Sequence, residues 1–371
     1  MPVRQHTFII AFVLTAALTA PVLAQTGQQS QQWKCTWNAN IPPDALIDGC
    51  TAKIQSKKFA GKELALAYTQ RGAAYANKRQ YDRAIEDFNQ AIKIDPKLVE
   101  AYNTRGIAYN NKGQPDRAIE DFNQAIKLNP KEALSFDGRG SAYQIKGEID
   151  RAIEDHNQAI KLEPNSARAF LNRGKAYTAQ RQFERAMEDF NQAIKLDPNY
   201  ALAFYNRAAI HRLTRQTDRA IEDYSEAIRL NPKLAEAFLN RGYAYSLKDQ
   251  TDRAIEDYSQ AIKLDPRNAM TFNNRGDAYL RKGQHDRAIA DLTQVIKLKP
   301  DAEAFYNRAY AYQEKRDHDR AIEDFSQAIK IDPNYATAFF YRAISYYAKG
   351  QNDRAVADYS EAIRLNPKLR R

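Results

Sequence analysis

The sequence predicts an all-α chain, a solenoid of about nine stacked helical hairpins. Three observations predict it. The segment DRAIEDFNQAIKIDP at Asp82–Pro96 returns to the end of the chain, with near copies beginning at Asp116, Asp150, Glu184, Asp218, Asp252, Asp286, Asp319 and Asp353. Seven of the eight intervals are 34 residues and the Asp286–Asp319 step is 33; a fixed period of this size marks units that each touch only their neighbours. Within each unit, two apolar patterns of period 3.6 flank a short polar turn. Leu, Ala, Glu, Lys, Gln and Arg fill both patterns, which suits helix.

The elements follow in chain order. Arg4 and His6 form a short polar start, and Phe8–Ala20 (FIIAFVLTAALTA) is an unbroken run of apolar and small residues. Val22 and Ala24 stand where small residues precede a cleavage site, so residues 1–24 read as a secretory signal peptide. Thirteen apolar residues are few for a hydrocarbon core of ~30 Å. No other segment is apolar enough to span one, and no membrane insertion is expected after cleavage. The expected address is export, periplasmic or secreted. Residues 25–42 form a polar, Gln-rich lead-in. Residues 43–64 place Leu46, Ile47, Cys50 and Ile54 at helical spacing, as a capping half-repeat. The only cysteines, Cys35 and Cys50, are expected to pair in an exported protein. The loop they close is worth roughly 3 kcal/mol in the chain-entropy model.

Residues 65–371 carry the nine repeats. In the second, the first helix covers about Val99–Lys112 and the second about Asp116–Leu128. Pro130 and its counterparts stop the second helix, and Asp116 and its counterparts supply a first-turn acid that starts it. Gly106, Ala118 and Ala125 allow close helix approach, and Tyr102, Tyr109 and Phe122 fill the spaces between. Enlarging Ala118 would overpack that contact at a cost of roughly 1–3 kcal/mol.

Lys and Arg number 56 against 46 Asp and Glu, a net charge of +10 that becomes +9 once Arg4 leaves with the signal peptide. The two signs are interleaved throughout each repeat, and the only basic run is Lys368–Arg371. This is a solvated surface with a mild excess, and no nucleic-acid partner is expected.

These residues resemble the tetratricopeptide repeat family, whose period is 34. The family prefers aromatic, small, Tyr, Ala, aromatic, Ala and Pro at seven fixed positions of each unit. The sixth repeat here reads Phe238, Gly242, Tyr245, Ala254, Tyr258, Ala261 and Pro266. The chain resembles exported bacterial members, particularly those reading NRGxAY…DRAIxDY. Departures are local. His211 replaces a Tyr, His156 replaces an aromatic, Leu292 and Val295 soften the seventh repeat, and the residue missing near Asp301 predicts a small shift in stacking without a domain break. The resemblance implies a right-handed superhelix whose concave face is lined by first helices and holds a peptide or extended segment of a protein partner.

Comparison of repeat with repeat separates scaffold from surface. Second helices hardly vary; first helices vary at positions 2, 5, 6, 9, 12 and 13 of each unit, which by resemblance face the groove. Position 6 is Asn172, Asn206, Asn240, Asn274 and Asn307 in repeats four to eight. A carboxamide donates and accepts at once, which suits a peptide backbone. Gln70, Thr104, Gly138 and Tyr341 break this ladder elsewhere. Flanking positions change from polar Asn103, Asn110 and Asn111 to aromatic Tyr205, Tyr243, Tyr306, Tyr310, Phe340 and Tyr347. Rigid rings give contact area at low entropy cost. Position 9 carries no Asn, which argues against the carboxylate-clamp variety of the family. Arg71 and its eight counterparts at position 7, each with an acid sixteen residues on, suggest a structural Arg–Asp ladder.

No cofactor, metal site or catalytic residue is expected. His285 and His318 lack a Cys or carboxylate cluster, and no Gly-rich phosphate loop, nucleophile elbow or HExxH occurs. The expected function is a non-enzymatic interaction scaffold gripping an extended peptide. The alternative is a structural protein that forms homo-oligomers through its C-terminal repeat, where Tyr346, Tyr347 and Tyr359 lie.

Overall fold

The computed structural model describes residues 35–36 and 41–370. The expected signal peptide and nearly all of the expected lead-in lie outside the described residues. Among them are nineteen α-helices and one short 3-10 turn, with no strand, so the all-α helical-repeat expectation holds. No described helix is long and apolar enough to cross a membrane. The chain divides into two compact units, residues 1–197 and 198–371.

In the first unit α1 (Pro43–Gln55) precedes four hairpins. These are α2 (Gly61–Asn77) with α3 (Tyr81–Ile94), α4 (Val99–Asn111) with α5 (Pro115–Leu128), α6 (Ala133–Lys146) with α7 (Ile149–Leu162), and α8 (Ala167–Ala179) with α9 (Phe183–Leu196). The second unit has five hairpins. These are α10 (Ala201–Leu213) with α11 (Thr217–Leu230), α12 (Ala235–Leu247) with α13 (Thr251–Leu264), α14 (Ala269–Arg281) with α15 (His285–Leu298), α16 (Ala302–Glu314) with α17 (His318–Ile331), and α18 (Ala336–Ala348) with α19 (Asn352–Leu365).

Each hairpin turns on one left-handed residue at position 15. Four are glycines, Gly113, Gly147, Gly283 and Gly350, and five are Arg79, Arg181, Arg215, Asp249 and Arg316, with φ between 55° and 64°. The next residue's N–H reaches back to the carbonyl of position 11, as from Gln114 to Tyr109 (2.9 Å) and Gln250 to Tyr245 (3.0 Å). This six-residue closure satisfies carbonyls that the helix end would leave open.

In each hairpin with glycine at position 8, the side chain at position 24 lies against it. A Cβ on Gly242 would come 2.8 Å from Tyr258, and one on Gly72 would come 2.6 Å from Phe88. Phe122 leans on two glycines, Gly106 of its own repeat and Gly138 of the next, which is why repeat three has no amide at position 6. Alanines at positions 20 and 27 complete a core layer in which Ala254, Tyr258 and Ala261 are buried.

Within each unit second helices pack on the next repeat's first helix, and successive first helices also touch: α2 with α4, α4 with α6, α6 with α8, α10 with α12, α12 with α14, and α16 with α18. No pair of successive second helices is in comparable contact among the described residues. First helices therefore line the tighter, inner side of each unit. At the short seventh repeat Asp301 caps α16 by accepting from Ala304 N (2.9 Å) and pairs with Lys299. The missing residue is absorbed in that turn, within the second unit.

At the N-terminus Cys35 and Cys50 form a disulfide with Cα atoms 4.5 Å apart. It is buried with Leu46 against Ala67 and Ala74, so the bond fastens α1 and the chain before it onto the first hairpin.

Candidate functional site

The repeated polar groups are fixed within the scaffold. In all nine repeats the position-7 arginine holds the position-23 aspartate with two parallel hydrogen bonds. Arg71 donates to both oxygens of Asp87 at 2.8 Å, and Arg241 does the same to Asp257. Such forked pairs are the strong form of charged hydrogen bond. The aspartates are buried, and the Asp155 carboxylate raises the guanidinium of Arg139 above its ordinary value. The third arm, Nη1, crosses to the preceding second helix. Arg105 reaches Asn89, Arg139 reaches Asn123, Arg275 reaches Ser259 and Arg342 reaches Ser326, at 2.6–3.0 Å. The arginine thus ties both helices of its hairpin and links it to the hairpin before.

A second ladder was not foreseen. In seven repeats a lysine at the end of the first helix reaches the first-turn acid of the preceding helix, as Lys146 does Asp116 (2.8 Å), Lys112 does Asp82 and Lys248 does Asp218. Those acids are largely exposed, so each pair is worth about 0–1 kcal/mol.

The five asparagines do not form a uniform row. Asn172, in the first unit, is buried and gives its amide to both oxygens of Asp137 (3.1 and 3.2 Å). In the second unit Asn240 donates to the Tyr205 hydroxyl (3.1 Å) and Asn307 to Asn273 Oδ1 (2.8 Å), each reaching position 5 of the repeat before. Asn206 donates within its own turn, to Leu202 O (2.7 Å). Asn274 makes no side-chain hydrogen bond to a described residue, since Leu239 occupies the matching position. The amides with most capacity left are therefore Asn206 and Asn274.

The aromatic candidates divide likewise. Tyr205 packs on Tyr224, with centroids 5.8 Å apart, and burial pushes its phenol up. Tyr306 is wedged among Phe325, Tyr335 and Tyr341, at 5.1–5.9 Å. Phe340 sits edge-on to Tyr341 and tilted on Tyr359. Tyr310 stands edge-on to Tyr341 (5.4 Å) and is half-buried. Tyr243 and Tyr347 are open, 40 % and 73 % exposed. Beside them sequence reasoning missed Leu213, Leu247, Met270 and Ile344, all exposed and all at positions 2, 9 or 13 of first helices in the second unit. The signal was in those columns, where the second unit places large apolar side chains on helix faces that the resemblance assigns to the groove. No large hydrophobic side chain is comparably exposed among the described residues of the first unit.

The first unit holds a different exception. Asp137 is buried and takes Nδ1 of His156 (2.9 Å), the amide of Asn172 and an ion pair from Arg168 (2.8 Å). Burial alone would raise this carboxyl, but Arg168, His156 and Asn172 together hold it well below its ordinary range. His156 Nε2 is buried without a hydrogen-bond partner. The sequence marked His156 as a departure and missed Asp137, its partner nineteen residues back. No group of three or more His, Cys, Asp or Glu side chains able to hold a metal is found among the described residues.

Comparison with known proteins agrees with this architecture. Models described as tetratricopeptide repeat match residues 65–98, 99–132, 167–200, 190–222, 273–336 and 306–369, and a TPR repeat model matches 140–180, 216–249 and 247–283. No curated protein sequence matches. Among solved structures, an IFIT1 monomeric mutant with m7Gppp-AAAA aligns over 87 % of this chain and 87 % of that one, at 16 % identity and a TM-score of 0.54. A tetratricopeptide repeat protein from Parabacteroides merdae aligns over 67 % and 98 %, at 21 % identity and 0.46. YrrB, a TPR protein with an unusual peptide-binding site, aligns over 53 % and 99 %, at 23 % identity and 0.43. At these identities the likeness is one of fold. Together the repeat matches span most of residues 65–369, and the chain belongs to the tetratricopeptide repeat family.

Proposed function

We propose that this protein is an exported, non-enzymatic scaffold that grips an extended segment of a protein partner on the first helices of its second unit. The observation that carries this is the contrast between recurring and varying positions. Polar groups that recur nine times are spent on the scaffold, whereas Tyr243, Leu247, Met270 and Asn274 on successive first helices are left to solvent or without a bonded partner. Exposed apolar groups clustered on one face mark an interaction site. Export rests on the leader at residues 1–24 and is consistent with the Cys35–Cys50 bond, since disulfides persist in oxidising compartments. N-terminal sequencing of the protein from its native host tests this: a start at Gln25 supports it and a retained Met1 refutes it.

Binding is tested by placing a photo-cross-linking residue at Tyr243 and, as control, at Glu256, exposed on the neighbouring second helix. Adducts mapping to one linear partner segment from position 243 alone support the reading. Equal capture at both positions contradicts it.

A second reading, self-association through the ninth repeat, has one observation behind it. Val356 is 66 % exposed where its counterparts Ile221 and Ile255 are half-buried. Sedimentation that stays monomeric at high concentration removes it.

A further inference from the structure

The charge of the second unit's inner face runs against that of the chain. The whole sequence carries +10, which by itself points to anionic partners. The groove positions of the second unit hold Glu236, Asp277, Glu303 and Glu314 against Arg212 and Arg281, a local charge of −2. The cations are partly occupied. Arg281 donates to Asp277 across one helical turn (2.9 Å), both side chains being more than half exposed, and Arg212 lies 5.7 Å over the Tyr243 ring. Glu303 and Glu314 are exposed. The corresponding positions of the first unit hold Glu100, Asp137, Arg168 and Lys175, which cancel.

Carboxylate and ring come together at Tyr310. Its ring stands edge-on to Tyr341. Glu314 follows Tyr310 by one helical turn on α16, and Asp277 holds the same position, 9, in the repeat before; the Tyr310 phenol, raised by burial first and then by Glu314 and Asp277, agrees with that placement. A ring face beside two carboxylates attracts a cationic side chain by two routes, Coulombic and cation–π. The exposed Leu247, Met270 and Ile344 continue the same face with apolar surface.

We propose that the segment held by the second unit is an extended apolar peptide bearing Lys or Arg, with one cationic side chain seated between Tyr310, Asp277 and Glu314. This rests on the peptide-scaffold reading and adds the chemistry of the peptide to it. The occupant is selected by charge complementarity, which suppresses wrong partners as well as favouring right ones.

The probe is a displayed library of random linear dodecapeptides, selected on the full mature chain and on the Asp277→Asn, Glu314→Gln double variant. Both substitutions are at exposed sites, and circular dichroism checks that the helices remain. The expected result is enrichment of sequences pairing aromatic or aliphatic residues with Lys or Arg. A selected peptide, remade with a fluorophore, should bind the double variant about fivefold more weakly and weaken further in high salt. Enrichment of acidic or uncharged polar sequences, or equal binding to the double variant, overturns the inference and leaves peptide capture standing. Enrichment of nothing overturns both.

Discussion

His156 Nδ1 lies 2.9 Å from Asp137 Oδ1, in a layer where every other repeat places Phe, Tyr or Leu. A carboxylate only accepts, so Nδ1 carries the proton. The pair replaces one aromatic contact with a buried polar network that also recruits Asn172 and Arg168 from the next repeat. Buried networks of this kind depend on complete satisfaction.

His156→Phe restores the ring found in other repeats, yet it takes a hydrogen bond from buried Asp137. It should destabilise by about 1–3 kcal/mol, read by urea unfolding. Adding Asp137→Leu, the residue found at this position in repeats four and six, should recover part of that loss. Additive effects in the double-mutant cycle would show that the two side chains are not coupled.

His211 gives a pH dependence with a fixed sign. Burial holds it below its ordinary 6.5, with Arg207 and Arg219 adding to that and Asp223 and Gln216 opposing. As pH falls through 6.5 the unfolded chain takes up a proton that the folded chain resists. Stability therefore declines on acidification from about pH 7 toward 5. His211→Tyr, which restores the residue of eight other repeats, should flatten that decline. Thermal melts of both proteins across this range check it; parallel curves would contradict it.

The hairpin turns predict a gain. Arg181 and Arg215 hold φ of 59° and 60° where four other repeats have glycine. The left-handed conformation costs a side-chain-bearing residue roughly 1–2 kcal/mol, part of which glycine returns through its freer unfolded chain. Arg181→Gly with Arg215→Gly should raise thermal stability, by about 0.5–1 kcal/mol per site at most. A lower melting temperature would mean that these arginines make contacts outweighing the strain.

The fold was legible because it is written nine times. Period, helix stops and small-residue columns each report local rules that packing merely reinforces, and even the Arg71–Asp87 pairing could be inferred from matched recurrence. The site was less legible, because a column of identical asparagines hides different neighbours. Asn172 turns inward only because Asp137 stands at position 5 of the preceding repeat, and Asn274 bonds nothing because Leu239 stands at the same place. The third arm of Arg105, reaching Asn89, crosses between repeats, and a reading confined to one unit cannot see it. Exposed Leu247 and Met270 were passed over because apolar residues on an amphipathic helix read by default as core.

The central claim is that the recurring Arg–Asp pairs carry stability and the second unit's first helices carry binding. The most direct measurement compares Arg241→Ala with Asn206→Ala plus Asn274→Ala, scoring melting temperature and capture of the segment cross-linked at Tyr243. Arg241→Ala strands buried Asp257 and should cost about 3–5 kcal/mol, with capture per folded molecule unchanged at a temperature where the protein stays folded. The asparagine pair should leave melting within about 0.5 kcal/mol and weaken capture about tenfold, two lost hydrogen bonds at roughly 0.7 kcal/mol each. The opposite pattern, binding lost with Arg241 and kept without the asparagines, would contradict the account.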